Sequence, residues 1–350
     1  MRNPLFSLAT AAGLALVTVA PLIAHASPWT LRRGEVVTGV RFDFEKASDE
    51  VQEDNSHIPF SLNGRYRAVS FTPTLRVGLT DRLEFEGQLP IKQVSYTADP
   101  VILLPSGADA ASQFESAQEN IIDLNRTVLG PSDLTIAARY QFLGGRMPLA
   151  IEGRLKTPTG YDPPLGTFGD RPRTREQLLD DPARYVKPEN VRDDVTLGDG
   201  QLDLGGRILL GVGFSTGTFA RLDAGYVLRF DGAGDQVTGS LRFGQLLWGV
   251  LLPYVGADLD YAVEKGRVIG VSVAAIDPEL PAEDYVGTNN LDLREVTLDR
   301  DRLVLPMGLI ARITPEVELN IAHARTVWGR NTSVVNTTSV GLAVRAALLE

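Results

Sequence analysis

From residue 34 onward the chain alternates apolar and polar positions with a period of two, the pattern of a strand with one apolar and one polar face. In 68–79, Val69, Phe71, Pro73, Leu75, Val77 and Leu79 share one face, and Ala68, Ser70, Thr72, Thr74, Arg76 and Gly78 share the other. In 134–142, Leu134, Ile136, Ala138, Tyr140 and Phe142 oppose Thr135, Ala137, Arg139 and Gln141. In 202–212, Leu202, Leu204, Ile208, Leu210 and Val212 oppose Asp203, Gly205, Arg207 and Gly211. Twelve such segments are predicted: 35–45, 65–79, 83–96, 132–142, 149–159, 200–214, 218–230, 236–246, 250–262, 301–313, 317–328 and 334–348. Their lengths match the roughly 9–11 residues that a tilted strand needs to cross a bilayer.

The connections alternate in length. Tight turns sit at Thr80-Asp81, Leu143 to Met147, Ser215-Thr216-Gly217, Leu247-Trp248-Gly249 and Thr314-Pro315-Glu316. The long connections, 97–131, 160–199 and 263–300, all fall on the other parity, together with the shorter 46–64, 231–235 and 329–333. An up-and-down barrel then carries every long loop at one end and every tight turn at the other, the arrangement of outer-membrane barrels. The expected fold is all-β: an up-and-down antiparallel transmembrane β-barrel of about 12 strands with long extracellular loops. A soluble exported β-sandwich shares the alternation but gives no reason for loop length to segregate. Tyr66, Tyr96, Phe142, Phe214, Phe219, Tyr226, Phe230, Tyr254, Tyr261 and Trp328 fall near strand ends and are assigned to aromatic girdles.

The N-terminus breaks the pattern. After Met1-Arg2-Asn3 the chain is apolar to Ala24, and Ala24-His25-Ala26 is an A-x-A cleavage site. Residues 1–26 read as a cleavable signal peptide and 27–350 as a single barrel domain. Net charge is −10 over 350 residues, and cleavage removes one basic residue and no acid. An acidic surface excludes nucleic acid as a partner. With no cysteine in the chain, disulfides, thiolate metal sites and cysteine nucleophiles are excluded, and no segment reads as a phosphate loop or a cofactor site. The expected partners are outer-membrane lipid, small-molecule solutes and the barrel assembly machinery; the oligomeric state is open.

The face assignment places charges of both signs inside. The candidates for lining the lumen are Arg139, Glu152, Arg154, Lys156, Asp203, Arg207, Arg221, Asp223, Arg242 and Asp258, flanked by Arg41, Asp43, Arg76, Glu84, Glu86, Arg229, Asp260, Arg312 and Arg345. Buried charges must be hydrated or paired, so they either line a narrow wet conduit or interlock and plug the barrel. Arg154, Lys156, Arg207 and Arg242 would favour anions unless Glu152, Asp203 and Asp258 pair with them. In the long connections, 108–126 reads as a helix with Ile121, Ile122 and Leu124 as its apolar patch. Asp180, Asp181, Asp193, Asp194 and Asp199 form an acidic loop without EF-hand spacing. A hydrolase needs a nucleophile beside a base. Past the signal segment the histidines are His57, in a loop, and His323, which shares the lipid face with Ile321; Ser333 and Ser339 lie on another strand. No catalytic residue is assigned.

Three segments together resemble a family of outer-membrane transporters named after the MetA pathway of phenol degradation. They are Gly130-Pro131-Ser132-Asp133-Leu134 with Ala138-Arg139-Tyr140, then Leu155-Lys156-Thr157-Pro158-Thr159-Gly160, then Leu197-Gly198-Asp199-Gly200-Gln201-Leu202-Asp203-Leu204. The resemblance covers about residues 34–350. It implies a β-barrel passing small compounds, aromatic ones among them, and supplies no catalytic residues. The chain departs from the barrel norm by ending Ala347-Leu348-Leu349-Glu350 instead of in an aromatic residue. The expected function is therefore passive passage of small solutes. The alternatives are a non-conducting barrel acting as a structural or surface-interaction protein, a lipid-active enzyme, and a soluble exported β-sandwich.

Overall fold

The computed structural model describes residues 27–102, 121–161, 163–164, 174–180, 195–277, 280 and 290–347. The segment 1–26, expected to be a signal peptide, lies outside them. Twelve antiparallel strands close into one barrel. They are β1 (Glu35–Ala47), β2 (Arg65–Gly78), β3 in two pieces (Leu83–Gln88 and Ile91–Thr97), β4 in two pieces (Arg126–Pro131 and Leu134–Leu143), β5 (Leu149–Thr157) and β6 (Asp203–Gly213). They continue as β7 (Thr218–Arg229), β8 (Gln236–Gln245), β9 (Leu251–Ala262), β10 (Asp301–Arg312), β11 (Val317–Arg330) and β12 (Asn336–Ala347). Each pairs with its sequence neighbour, and β1 pairs with both β2 and β12, so no edge is left open.

The sandwich alternative is overturned. In a soluble sandwich the apolar faces would be dry and the charged faces wet; here the reverse holds. Phe42, Leu75, Ile151, Ile208, Leu241, Val255, Met307 and Ile321 are exposed on the outer face, while Arg76, Glu84, Arg139 and Glu152 are buried within. An apolar band of this extent is stable only against lipid.

Proline interrupts two strands that the pattern read differently. The predicted strand 83–96 breaks at Leu89-Pro90, and β4 begins earlier, at Arg126, with a break at Ser132-Asp133. Pro90 and Pro131 lack the N–H that a ladder needs, and they lie side by side: Ile91 pairs with Pro131, and the Ser132 N–H donates to the Pro90 carbonyl at 2.8 Å. β2 pairs with the lower piece of β3 through Thr74–Gly78 and with the upper piece through Arg65–Phe71.

Over the long-loop end lie a small sheet of Asp49–Val51, His57–Pro59 and Thr332–Ser333, a hairpin of Val268–Ala275 with Leu291–Thr297, and a short helix α1 (Arg175–Asp180). The helix expected over 108–126 is corrected at its described end: Ile121–Ile122 pairs as strand with Val101–Ile102, and Arg126 opens β4. Two β-branched isoleucines in succession suit a pleated ladder better than a helix. Residues 108–120 lie outside the described residues, as do Asp181, Asp193 and Asp194 of the acidic loop.

The girdle assignment holds for six aromatics and fails for four. Phe142, Phe214, Tyr226, Phe230, Tyr261 and Trp328 are exposed on the outer face. Tyr66, Tyr96, Phe219 and Tyr254 point inward. Tyr66 donates to Glu45 at 2.9 Å, and Phe219 packs with Leu252, Ile310 and Tyr254. Each sits on the polar parity of its own strand, so the alternation itself assigned them and proximity to a strand end did not.

Candidate functional site

The lumen is two-sided. On the β2–β5 wall, Arg139 reaches Glu152 at 2.6 Å, Glu84 at 2.9 Å and Glu86 at 3.4 Å. Arg76 lies 2.8 Å from Glu84, and Arg154 lies 3.2 Å from Glu152. Registry explains the grouping: Arg139 stands opposite Glu84 on one side and Glu152 on the other. Three guanidinium groups thus meet three carboxylates, and the Arg139 and Glu152 side chains retain only 2% and 0% exposure.

The β8–β10 stretch is wetter. Arg242 holds Asp258 at 2.7 Å with side-chain exposures of 18% and 38%, and Arg302 holds Asp260 at 2.7 Å with 39% and 23%. Arg207 reaches Asp223 only at 4.0 Å, and Asp223 accepts from the Ser240 hydroxyl. Arg221 lies directly across the ladder from Arg242. The pairings weighed in the sequence, Arg154 with Glu152, Lys156 with Asp203 and Arg242 with Asp258, are all present. With both signs interleaved around the wall, the fixed charges set no single-sign field.

The three motifs that carried the family resemblance come together near the long-loop end. Lys156, on β5, sits 2.5 Å from Asp199, 2.7 Å from Asp203 and 3.7 Å from Asp133. Arg229, on β7, reaches Asp199 at 2.6 Å and Asp203 at 3.5 Å. Thr159 donates to the Pro131 carbonyl at 2.9 Å, Ser132 donates to the Leu197 carbonyl, and Tyr161 donates to Asp133 while accepting from the Gly200 N–H at 2.9 Å. Burial, together with the bond to Asp133, pushes the Tyr161 phenol up, which keeps it a donor. These bonds pin residues 195–201 to the inner wall, where Val195 and Leu197 pack against Ala68 and Val94. The short motifs are therefore the corners of one clasp.

Asp199 gives this clasp a pH signature. Burial resists its ionisation, but Lys156, Arg300 and Arg229 outweigh that and hold its carboxyl below the ordinary value. A depressed folded value means that the stabilisation is present above the unfolded value of about 4 and is lost as pH falls through the folded value. Asp199→Asn should therefore lower the thermal stability at pH 7, and the gap to the parent should close below about pH 4. Temperature-dependent gel mobility over a pH series checks this.

A second structural element sits in the short-turn mouth. Residues 27–33 precede β1 and run beneath the barrel. Trp29 and Pro28 fill the space that a side chain at Gly211 of β6 would need, at 2.7 and 2.8 Å from an added Cβ. The Leu31 N–H donates to Glu84 at 2.8 Å, and the Leu31 side chain packs on Val37 and Ala343 of β1 and β12. Gln141 of β4 donates to the Pro28 carbonyl at 2.8 Å. At Gly78 an added Cβ would lie 2.0 Å from the Arg32 carbonyl oxygen. The segment thus runs from β6 past β4, β3 and β2 to β1 along one side of the opening. The sequence placed it within the 27–350 barrel domain without a role of its own; the glycines at inward positions 78 and 211 were its available trace.

His323 lies exposed on the outer face, its Nδ1 3.2 Å from the Thr338 hydroxyl. Ser339 faces inward and donates to Asp43 at 2.6 Å, on the other side of the wall. Among the described residues no group of three or more His, Asp or Glu is placed to hold a metal ion.

Fold and lumen together define an outer-membrane β-barrel. No family model matches the chain, and no curated protein matches it. Among solved structures, it is similar to an outer-membrane channel from Pseudomonas putida F1, with a TM-score of 0.60 at 10% identity over 93% of this chain and 100% of that one. It is also similar to the CymD monoaromatic hydrocarbon channel, at 10% identity and TM-score 0.38 over 89% of this chain and 88% of that one. The KdgM porin matches at 6% identity and TM-score 0.39 over 87% of this chain and 98% of that one. The first likeness is one of the whole barrel fold; the other two are looser.

Proposed function

We propose that this protein is a narrow outer-membrane channel for passive passage of small solutes, delivered behind a signal peptide cleaved after Ala26 and inserted by the barrel assembly machinery. One observation carries the reading: on the inner wall of the barrel, Asp258 at mid-strand and Arg302 near the long-loop end keep 38% and 39% of their side-chain surface accessible. A sealed ion-pair plug would leave them dry, as Glu152 is on the opposite wall. The wet strip runs along β8–β10, and the interlocked β2–β5 network serves as a rigid wall across the lumen from it. The fold likeness to the Pseudomonas putida F1 channel supports the same reading, and the resemblance to the phenol-degradation transporters adds aromatic compounds to the solutes to be tested.

A non-conducting barrel is the second reading, favoured by the segment 27–33 lying in the short-turn mouth. Planar-bilayer recording and liposome swelling separate the two. Small, noisy conductance without strong ion selectivity is expected, since cationic and anionic side chains alternate along the wet strip. A folded, inserted barrel with neither ion current nor solute flux would leave the second reading standing.

A further inference from the structure

Near the long-loop end, one lane of the outer face turns polar across six adjacent strands. Register sets Thr127 of β4, Ser95 of β3, Arg67 of β2, Lys46 of β1, Asn336 of β12 and Arg325 of β11 side by side. The three cations have the outward parity of their strands, as exposed Val69, Phe44 and Ile321 show. The Ser95 and Thr127 hydroxyls lie 3.0 Å apart at the edge of the lane.

The lane holds three cations and no acid in a chain of net charge −10. Lys46, Arg67 and Arg325 are exposed, and among the described residues none of them meets a carboxylate within ion-pair distance. Cations on the inward parity nearby are paired: Arg41 with Asp43 at 2.9 Å and Lys92 with Glu45 at 3.1 Å. One lane lower, beneath Asn336 and Arg325, Thr338 and His323 stand side by side on the outer face, 3.2 Å apart. The polar surface thus dips into the apolar band on the side of the cations.

Height fixes what the lane meets. Lys46 stands ten residues above Val36 on β1, about 25 Å along the membrane normal for a strand tilted about 40°. That is the height of the apolar band, so Lys46 reaches the headgroups. Arg325 sits just inside Trp328 of the girdle, where a long stem lets the charge snorkel outward. Long loops mark the extracellular end, so these are headgroups of the outer leaflet. Arg67 and Arg325 are three strand spacings apart, about 14 Å, a width that takes more than one phosphate group.

We infer that Lys46, Arg67 and Arg325, with Asn336 and the two hydroxyls beside them, bind the multiply phosphorylated headgroup of an outer-leaflet glycolipid, whose acyl chains lie on Val69 and Phe44 below. Guanidinium groups suit phosphate oxygens through paired N–H donors. A second copy of the chain is a poorer occupant, because a two-fold contact would bring the same cations face to face. The site needs the outer-membrane setting of the barrel but not conduction.

The test measures the affinity of the detergent-solubilised full barrel for diphosphoryl lipid A, for its dephosphorylated form and for phosphatidylglycerol. K46Q/R67Q/R325Q is compared with the charge-conserving K46R/R67K/R325K, and a heat-modifiable gel band confirms folding of each. Cations near an anionic surface act together, so the neutral variant should bind diphosphoryl lipid A roughly a hundredfold more weakly. The charge-conserving variant should keep most of the affinity, and the other two lipids should bind the native barrel weakly. Equal affinity of the native and neutral forms overturns the site, as does equal affinity for the dephosphorylated lipid, which would mean contact through acyl chains alone. Displacement by an equal concentration of inorganic phosphate overturns a lipid as the occupant. So does a native dimer that the neutral variant loses while its lipid affinity stays unchanged. No current is read, so a barrel that conducts nothing leaves the site standing.

Discussion

Replacing Arg139 by Met should lower the unfolding temperature of the barrel by on the order of 10 °C. Arg139 is the shared partner of Glu84, Glu86 and Glu152, and its removal leaves three carboxylates facing the two remaining guanidinium groups, Arg76 and Arg154. Breaking a buried pair by deleting one partner costs about 3–5 kcal/mol, because the other charge stays buried without compensation. Met preserves most of the volume, so the loss is electrostatic and not a cavity effect. R139M/E152Q, which restores two cations to two anions, should recover a large part of the loss; a double-mutant cycle on thermal gel-shift midpoints measures the coupling. Midpoints that do not move in R139M would mean that the wall is held by strand pairing alone. Conductance should change little in the single variant, since Arg139 and Glu152 have 2% and 0% side-chain exposure and do not line the wet strip.

Deletion of residues 28–33 should raise single-channel conductance several-fold. The segment runs from β6 to β1 inside the short-turn mouth, held by Trp29 over Gly211, the Leu31 N–H on Glu84, the Leu31 side chain on Val37 and Ala343, and the Pro28 carbonyl on Gln141. The twelve strands close without it, so the barrel should fold and keep its heat-modifiable mobility. Ser27 remains beside Ala26, which preserves the proposed processing site. Trp29→Ala should give a smaller rise, because the backbone bonds to Glu84 and Gln141 survive. Unchanged current in the deletion would place the constriction elsewhere, with the pinned 195–201 segment as the next candidate.

Much of this architecture is written locally. Alternation put Arg139, Glu152 and Asp223 inside and Ile151, Ile208 and Ile321 outside, because a strand exposes successive side chains to opposite faces whatever its neighbours are. Nearness to a strand end was a poorer guide: Tyr66, Tyr96, Phe219 and Tyr254 were placed by it and turned out to be inward. The helix over 108–126 failed at Ile121–Ile122 because a short apolar cluster fits either period. The breaks at Pro90 and Pro131 were present in the residues but acquire meaning only when the two prolines become neighbours.

What the sequence by itself determined is the set of faces, the number of strands and the end of the barrel on which each loop lies. All of these follow from period-two alternation and from the residues of tight turns. What only the tertiary structure decided is partnership. Arg139 finds Glu84 and Glu152 through the register of three strands, the three motif segments meet at Lys156 and Asp199 through closure of a loop of forty residues or so, and residues 27–33 find the mouth of the barrel that follows them. Register and stagger are collective properties of a closed ladder, so no local window of residues contains them.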